Sequence, residues 1–125
     1  MVNIRVGGIY LVKEDALTLP PEASRTKHAE RRPFVVLSGA GTNSRIDWKT
    51  VLGCPISSST SYRTEFDVKL AQGEFGATKK CWIRIPALQP ILKTDLEDLT
   101  GTLDAARLEE AQARVLEFMG LTDED

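Results

Sequence analysis

Two short apolar runs constrain the fold of this chain more than any other feature of its sequence. Residues 34–37 (FVVL) and 51–56 (VLGCPI) are rich in Val, Leu and Ile, and a polar segment separates them. Runs of this length and composition are typical of buried β-strands. If the polar segment reverses the chain, the two strands pair antiparallel, and the start of the first lies beside the end of the second.

Polar side chains flank both runs at that shared edge. Arg31 and Arg32 precede the first run, and Ser57 opens a series of hydroxyl residues that follows the second. A guanidinium offers a planar pair of N–H donors and a hydroxyl offers one more, so together on a rigid sheet they can hold a phosphate group. The pattern therefore predicts an anion site at this edge.

Three further segments have the composition of short strands. They are residues 8–12 (GIYLV), 64–70 (TEFDVKL) and 81–85 (CWIRI), and polar and apolar positions alternate in the second of them. With many short strands first and one helix last, the order favours a mainly β fold: a small, strongly bent antiparallel sheet with a C-terminal helix.

The long helix is predicted over residues 104–119. Asp104 is a suitable N-cap, and Gly120 stands where a helix often ends in the left-handed conformation. Apolar positions recur along one face of this segment, at Leu108, Ala111, Val115 and Phe118 or Met119, and we expect this face to pack on the sheet. We also expect a short helix over residues 96–99.

Length and charge limit the possible functions. At 125 residues with a net charge of −2, the chain suits one domain, here residues 1–121 with an acidic tail at 122–125. The net charge argues against a protein that binds nucleic acid by bulk charge alone. A local basic patch is compatible with it, because Glu30 is the only acid between residues 25 and 45.

The cysteines and the single histidine argue against a metal centre. Cys54 and Cys81 lie inside predicted strands, where core thiols are the common outcome, and no Cys-x-x-Cys pair is present. We therefore expect no metal ion and no cofactor. The N-terminus lacks a signal-like pattern, and no apolar run has the length of a membrane span, so we expect a cytoplasmic protein with no membrane contact.

Taken together, five pieces of the chain resemble the MazF/PemK/Kid-type toxins of bacterial toxin–antitoxin systems. In order they are GGIYLV, RPFVVLS, TVLGCPISSST, EFDVKL and GTLDAARLEEAQARVLEFMGL, and they cover nearly the whole sequence. The resemblance implies an SH3-like small β-barrel with a C-terminal helix that works as a homodimer. It also implies a metal-independent, sequence-specific endoribonuclease of single-stranded RNA, neutralised by a cognate antitoxin protein.

The resemblance carries over to particular residues. Arg32 matches the catalytic Arg at the start of the family's Arg-Pro strand, Ser57 stands where the family usually has Thr, and Arg84 matches an Arg on a late strand of Kid-like members. Three positions depart from the family pattern: Pro86 replaces an acid, Gln89 replaces an Arg, and the opening has Gly7-Gly8 where the family usually has Gly-Asp or Gly-Glu. The first two departures favour an alternative, a non-catalytic or gyrase-poisoning member of the same fold.

Metal-free RNA cleavage needs a base, a charge that stabilises the phosphorane, and an acid for the leaving oxygen. Arg32 suits the second task, Ser57 can donate a hydrogen bond to the same phosphate, and Arg84 can share the charge. His28, the only histidine, and Glu30, the nearest acid, are candidate proton carriers. The alternative for His28 is an exposed loop residue without a role.

Five further residues are candidate RNA contacts. They are Lys27, Arg31, Ser58, Ser59 and Trp82, which would supply charge to the backbone, hydroxyl donors and, for Trp82, an exposed aromatic face for stacking. Two simpler interpretations stay open. Arg32 can be a surface residue paired with an acid such as Asp47, and the whole chain can be an unrelated SH3-like adaptor that binds peptides.

Overall fold

The computed structural model describes residues 3–18, 31–61 and 63–122 and shows a mainly β protein with one long C-terminal helix. Its strands, in chain order, are β1 (Gly8–Lys13), β2 (Arg31–Val36), β3 (Thr50–Ser57), β4 (Val68–Leu70), β5 (Cys81–Ile83), β6 (Gln89–Leu92) and β7 (Leu99–Thr102). The α-helices are the single turn α1 (Ala40–Asn43) and the long α2 (Ala105–Phe118). No helix of the described ranges is long and apolar enough to cross a membrane.

All seven strands belong to one antiparallel sheet. The order is β4-β5-β3-β2-β1-β7, and β6 pairs with β3 outside this path. The sheet curls until β7 meets the turn at Glu74–Gly76, so close that a Cβ at Gly101 would collide with the carbonyl oxygen of Phe75. Glycine is therefore required at Gly101 for the curled sheet to close into a half-barrel.

The predicted antiparallel pairing of the two apolar runs is confirmed. Phe34 lies opposite Pro55 and Val36 opposite Gly53, which brings the start of β2 beside the end of β3. The strand β2 begins earlier than its apolar run, because Arg32 pairs with Val12 of β1. The arginine is thus part of the sheet itself, which makes its backbone position rigid.

The sheet is covered on both faces, which explains why β2 reads as a continuous apolar run. Val35 and Cys54 belong to one buried cluster, whereas Phe34 and Val36 belong to a second on the other face. The cysteines are confirmed as core thiols, since Cys54 and Cys81 are both buried and unbonded to each other.

The long helix is confirmed close to its predicted bounds. The Asp104 carboxylate accepts a hydrogen bond from the Arg107 backbone N–H at 2.8 Å, and Gly120 is left-handed with φ 77°. The predicted apolar face is confirmed for Leu108, Ala111 and Val115, which belong to or pack against the first core cluster. It is wrong at its end, because Phe118 and Met119 are exposed.

Two sequence expectations for other elements are wrong, and one strand was not predicted. Residues 64–67 form a turn rather than a strand, because the Asp67 carboxylate accepts hydrogen bonds from the Thr64 backbone N–H and hydroxyl at 3.0 and 3.1 Å. The helix expected at 96–99 is replaced by a short 3-10 turn at Lys93–Asp95. The sequence did not predict β6, because Pro90 interrupts the apolar pattern typical of a strand.

Candidate functional site

A cleft of about 470 Å³ opens where the start of β2 meets the end of β3 and the turn at Glu74–Gly76. Its walls are mostly apolar, with Ile56 and Phe75 among the contributing residues. Charged and hydroxyl side chains also line it: Glu14, Arg31, Arg32, Ser58, Lys79 and Thr100. A mostly apolar cleft with a few convergent polar groups is typical of a binding site.

Arg32 lies in this cleft as half of an ion pair with Glu14. The Glu14 Oε2 accepts from Arg32 Nε at 2.8 Å and lies 2.7 Å from Nη2. Both side chains are largely buried, with 18% of Arg32 and 10% of Glu14 exposed. The alternative interpretation, in which Arg32 pairs with Asp47, is wrong, because the Asp47 carboxylate pairs with Arg45 at 2.9 Å. Among the described residues nothing else bonds the Arg32 guanidinium, which leaves its Nη1 edge available to an anion.

The hydroxyl run after β3 is ordered by its own hydrogen bonds. Ser57 Oγ accepts from the Ser59 backbone N–H at 3.1 Å, and Ser59 Oγ accepts from that of Ser61 at 3.2 Å. Ser58 lines the cleft together with Arg32, whereas Ser57, the last residue of β3, does not line it. The structure therefore places Arg32 and Ser58 together in the lining of one cleft.

Arg84 lies behind this loop and is largely buried. Its Nη2 donates to the Ser59 carbonyl at 2.8 Å, and its Nη1 lies 3.8 Å from Asp67. Burial lowers the pKa of Arg84, the Asp67 carboxylate opposes that shift, and the nearby positive charge of Arg32 adds to it. Arg84 does not line the cleft. In this arrangement it positions the serine loop, because it donates to the Ser59 carbonyl.

Acids reach the two arginines from positions that the sequence analysis did not consider. Glu14 follows β1 directly and meets Arg32, and the fully buried carboxylate of Asp67 meets Arg84. The only sequence signal for Glu14 was its place at the end of a strand. That place indicates a contact with Arg32 only once the pairing of Val12 with Arg32 is known. The Asp67 carboxylate also accepts from the Ile85 backbone N–H at 3.2 Å, so this acid lies next to Pro86, where the family pattern has an acid.

Gln89, the second departure, has a structural environment. Its side-chain amide accepts from the Thr18 backbone N–H and donates to the Thr18 carbonyl, both at 3.0 Å, and it also donates to the Ala87 carbonyl. The amide thus fastens the segment that follows Glu14 to β6. An arginine at this position would lack the acceptor that the Thr18 N–H uses.

The expectation that Trp82 offers an exposed stacking face is wrong. Only 4% of this residue is exposed. The Arg63 guanidinium lies 5.2 Å and the Lys80 ammonium 5.7 Å from the ring centroid. These two cations lie over the Trp82 ring, and the residue itself stands on β5 between Ser57 of β3 and Lys69 of β4.

The remaining candidate contacts divide into two groups. Arg31 lines the cleft and pairs with Glu97 at 3.0 Å and with Asp98 at 3.1 Å. These hydrogen bonds raise the pKa of Arg31, and the bond to Glu97 makes the largest contribution. Ser59 is exposed in the serine loop. Three candidates lie outside the described residues: Lys27, His28 and Glu30.

No described cluster of three His, Cys, Asp or Glu side chains has the arrangement of a metal site. Burial raises the pKa of the Cys54 thiol to about 12 and also raises the pKa of the Cys81 thiol. Neither cysteine is therefore a thiolate near neutral pH, and neither suits a nucleophile or a metal ligand.

Comparison with known proteins adds a family match and several solved structures. A family model described as "PemK-like, MazF-like toxin of type II toxin-antitoxin system" matches residues 5–119. A search of curated proteins finds no match.

The solved structures that match share the fold at low sequence identity. A mycobacterial endoribonuclease in complex with its cognate antitoxin has a TM-score of 0.70 at 14% identity, covering 99% of this chain and 100% of that one. The Mycobacterium tuberculosis toxin MazF-mt6 has a TM-score of 0.69 at 17% identity, covering 93% and 99%. A MazE–MazF structure from Deinococcus radiodurans has a TM-score of 0.69 at 15% identity, covering 98% and 100%. The expected fold class, a small curled barrel with a C-terminal helix, is confirmed by these matches.

Proposed function

Because the chain belongs to the PemK-like, MazF-like toxins of type II toxin–antitoxin systems, we propose that it is an endoribonuclease that cleaves single-stranded RNA without a metal ion. The observation that carries this proposal is the shared cleft, where Arg32, held by Glu14, lies with Ser58. One of the similar structures is itself described as an endoribonuclease bound to its antitoxin.

The proposed reaction is a transesterification within the RNA. The ribose 2′-oxygen attacks the adjacent phosphorus as its proton passes to a base, and the bond from phosphorus to the 5′-oxygen breaks as that oxygen gains a proton. The products are a 2′,3′-cyclic phosphate and a 5′-hydroxyl end. Arg32 stabilises the phosphorane with its Nη1 edge, since a guanidinium stays charged at any relevant pH.

The other side chains support this centre in distinct ways. Ser58 or Ser57 donates a hydrogen bond to the phosphate, and Arg84 holds the serine loop through the Ser59 carbonyl. Glu14 orients the Arg32 guanidinium by occupying its Nε edge. His28 and Glu30 stay the candidate proton carriers.

RNA cleavage in EDTA tests the proposal. Purified protein is incubated with a long single-stranded RNA, and the ends are analysed for 5′-hydroxyls. We expect cleavage by the wild type and a loss of at least about 100-fold in Arg32→Ala, the scale of removing one charge-stabilising donor. Arg45→Ala is the matched control, because Arg45 is an exposed arginine in an ion pair away from the cleft. Equal cleavage by all three proteins, or by none, would refute the assignment.

We further propose an antitoxin partner and a homodimer. The similar structures include toxins described together with a cognate antitoxin or with MazE. For the dimer, the supporting observation is a set of exposed apolar side chains on and near β3 and β6: Ile46, Trp48, Leu52 and Leu92. Sedimentation equilibrium of the wild type and of a Leu52→Lys, Leu92→Lys variant tests this surface. A dimer that persists in the variant places the contact elsewhere.

A second function, a non-catalytic or gyrase-poisoning member of the same fold, is favoured by one observation. Gln89 replaces an arginine and serves a structural role through Thr18. At this position, which does not line the cleft, the chain has one cation fewer than the family pattern implies. Growth arrest that persists on expression of an Arg32→Ala, Ser57→Ala double variant would support this function over cleavage.

A further inference from the structure

We propose that Phe75 is the platform on which one nucleobase of the RNA stacks, so that it helps to select the cleavage site. This inference rests on the proposed function, since it concerns how that substrate would sit in the cleft. Phe75 is the one aromatic residue among the described residues that line the cleft. It shares the cleft with Arg32 and Ser58, which are the proposed phosphate contacts.

The backbone of Phe75 is strained. With φ 50° and ψ 36°, it is the only residue other than glycine in the described ranges that has a positive φ. Its neighbours Gly73 and Gly76 also have positive φ, 92° and 87°, but glycine adopts this conformation freely. For a bulky residue this conformation is unfavourable, and such strain persists where the surroundings impose it, often at binding sites.

The surrounding contacts hold this turn rigidly. Arg107 of α2 donates two hydrogen bonds to the Glu74 carboxylate, at 3.1 and 3.2 Å. The same carboxylate accepts from the Ala71 backbone N–H at 2.8 Å. On the other side, Gly101 of β7 packs against the Phe75 carbonyl. The ring is therefore presented by a fixed turn, as a stacking platform requires.

The position of the ring suits a nucleobase better than it suits a core residue. Phe75 is half-buried and packs against the first core cluster. The buried members of that cluster are all aliphatic or thiol side chains. The Arg107 guanidinium lies over one face of the ring, 5.9 Å from its centroid, and Arg107 does not line the cleft, so the proposed stacking uses the other face. An aromatic face in a cleft with cations is the usual means of binding single-stranded bases. Trp82, by contrast, is covered.

Three variants separate stacking from packing. Phe75→Leu keeps an apolar side chain and removes the ring, and Phe75→Tyr restores a ring. Phe66→Leu is the matched control, since Phe66 is also half-buried but makes its edge-to-face contact with Phe118, at 5.3 Å, and does not line the cleft.

Each protein is tested on a randomised single-stranded RNA, with sequencing of the 5′-hydroxyl ends. Stacking of one base is worth about 5- to 150-fold, so we expect Phe75→Leu to lose that factor in kcat/KM and to relax the preference at one position. Phe75→Tyr recovers the wild-type preference. Phe66→Leu loses stability in urea but keeps the preference. On an RNA that lacks the base at that one position, the wild type and Phe75→Leu should cleave at the same rate, because no base is there to stack on the ring.

Two results would overturn the inference. One is an unaltered end profile and kcat/KM in Phe75→Leu, and the other is the same loss of kcat/KM on the abasic RNA. If the wild type cleaves nothing, the proposed function fails, and Phe75 is judged from binding of an RNA that carries 2-aminopurine. Quenching by the wild type that is lost in Phe75→Leu supports the platform, and the absence of quenching by the wild type overturns it.

Discussion

The ion pair between Glu14 and Arg32 is the contact on which the proposed site depends most, and its removal has a measurable cost. The pair is short, at 2.7–2.8 Å, and both side chains are less than a fifth exposed. Breaking a fully buried pair by removing one partner costs about 3–5 kcal/mol. Because some water reaches Arg32, we expect Glu14→Ala to lower the free energy of unfolding by about 2–4 kcal/mol.

A double-mutant cycle isolates the pair from whatever else each substitution changes. Urea unfolding is measured for the wild type, Glu14→Ala, Arg32→Ala and the double variant, and we expect a coupling energy of about 1–3 kcal/mol. The matched control is the cycle of Arg31 with Glu97, whose side chains are 39% and 32% exposed. An exposed pair of this kind should give about 0.2–1 kcal/mol.

Cleavage kinetics then show whether Glu14 positions Arg32 or only stabilises the fold. Glu14→Gln keeps an oxygen that can accept from Arg32 Nε but removes the charge, so the guanidinium is held less firmly. We expect kcat to fall about 10- to 100-fold with a smaller change in KM, since misplacing a catalytic group weakens the chemical step more than binding. A coupling energy no larger than that of the control pair, or a Glu14→Gln protein with wild-type kcat, would refute this reasoning.

Four further predictions concern stability and thiol chemistry. Arg84→Ala should lower the free energy of unfolding by about 3–5 kcal/mol in urea, because it leaves the carboxylate of Asp67 buried beside an unfilled space. Asp104→Ala should cost about 1 kcal/mol in the same assay through loss of the N-cap of α2, and no measurable loss would contradict the cap. Since the pKa of Cys54 is raised to about 12 in the fold, that thiol should stay unreactive toward a disulfide reagent at pH 8.5 until the protein unfolds. Because the unfolded thiol ionises first, Cys54 should also make stability fall as pH rises from about 9 towards 12, which urea titrations at several pH values would detect.

The central hairpin was predictable because its signal is local. The apolar runs that became β2 and β3 are bounded by polar residues, and burial on both faces leaves a continuous apolar pattern that sequence alone reveals. The helix α2 was predictable for the same reason, since its cap and its apolar face lie within one segment. The shared edge that holds Arg32 followed directly from the antiparallel pairing.

The acids of the site were not predictable, because they depend on register between distant strands. Glu14 meets Arg32 only because β1 pairs with β2 so that Val12 lies opposite Arg32. A shift of one residue would place Glu14 on the other face. The burial of Trp82 also depends on contacts between distant segments, since the Arg63 guanidinium lies over its ring. Sequence patterns report which residues are strand-like, but they do not report which strands become neighbours.

The paired state of the cleft's arginines bears on how tightly RNA would bind. Arg32 is neutralised by Glu14, and Arg31 by Glu97 and Asp98, so a phosphate must replace or share a carboxylate at each arginine. The free energy of RNA binding is then the difference between two ionic contacts, which is smaller than the gain from binding to unpaired cations. On the proposed function, discrimination among RNA sequences therefore depends on contacts with the bases more than on the charge of the cleft. A stacking surface such as Phe75, which makes no ion pair, is well suited to supply that discrimination.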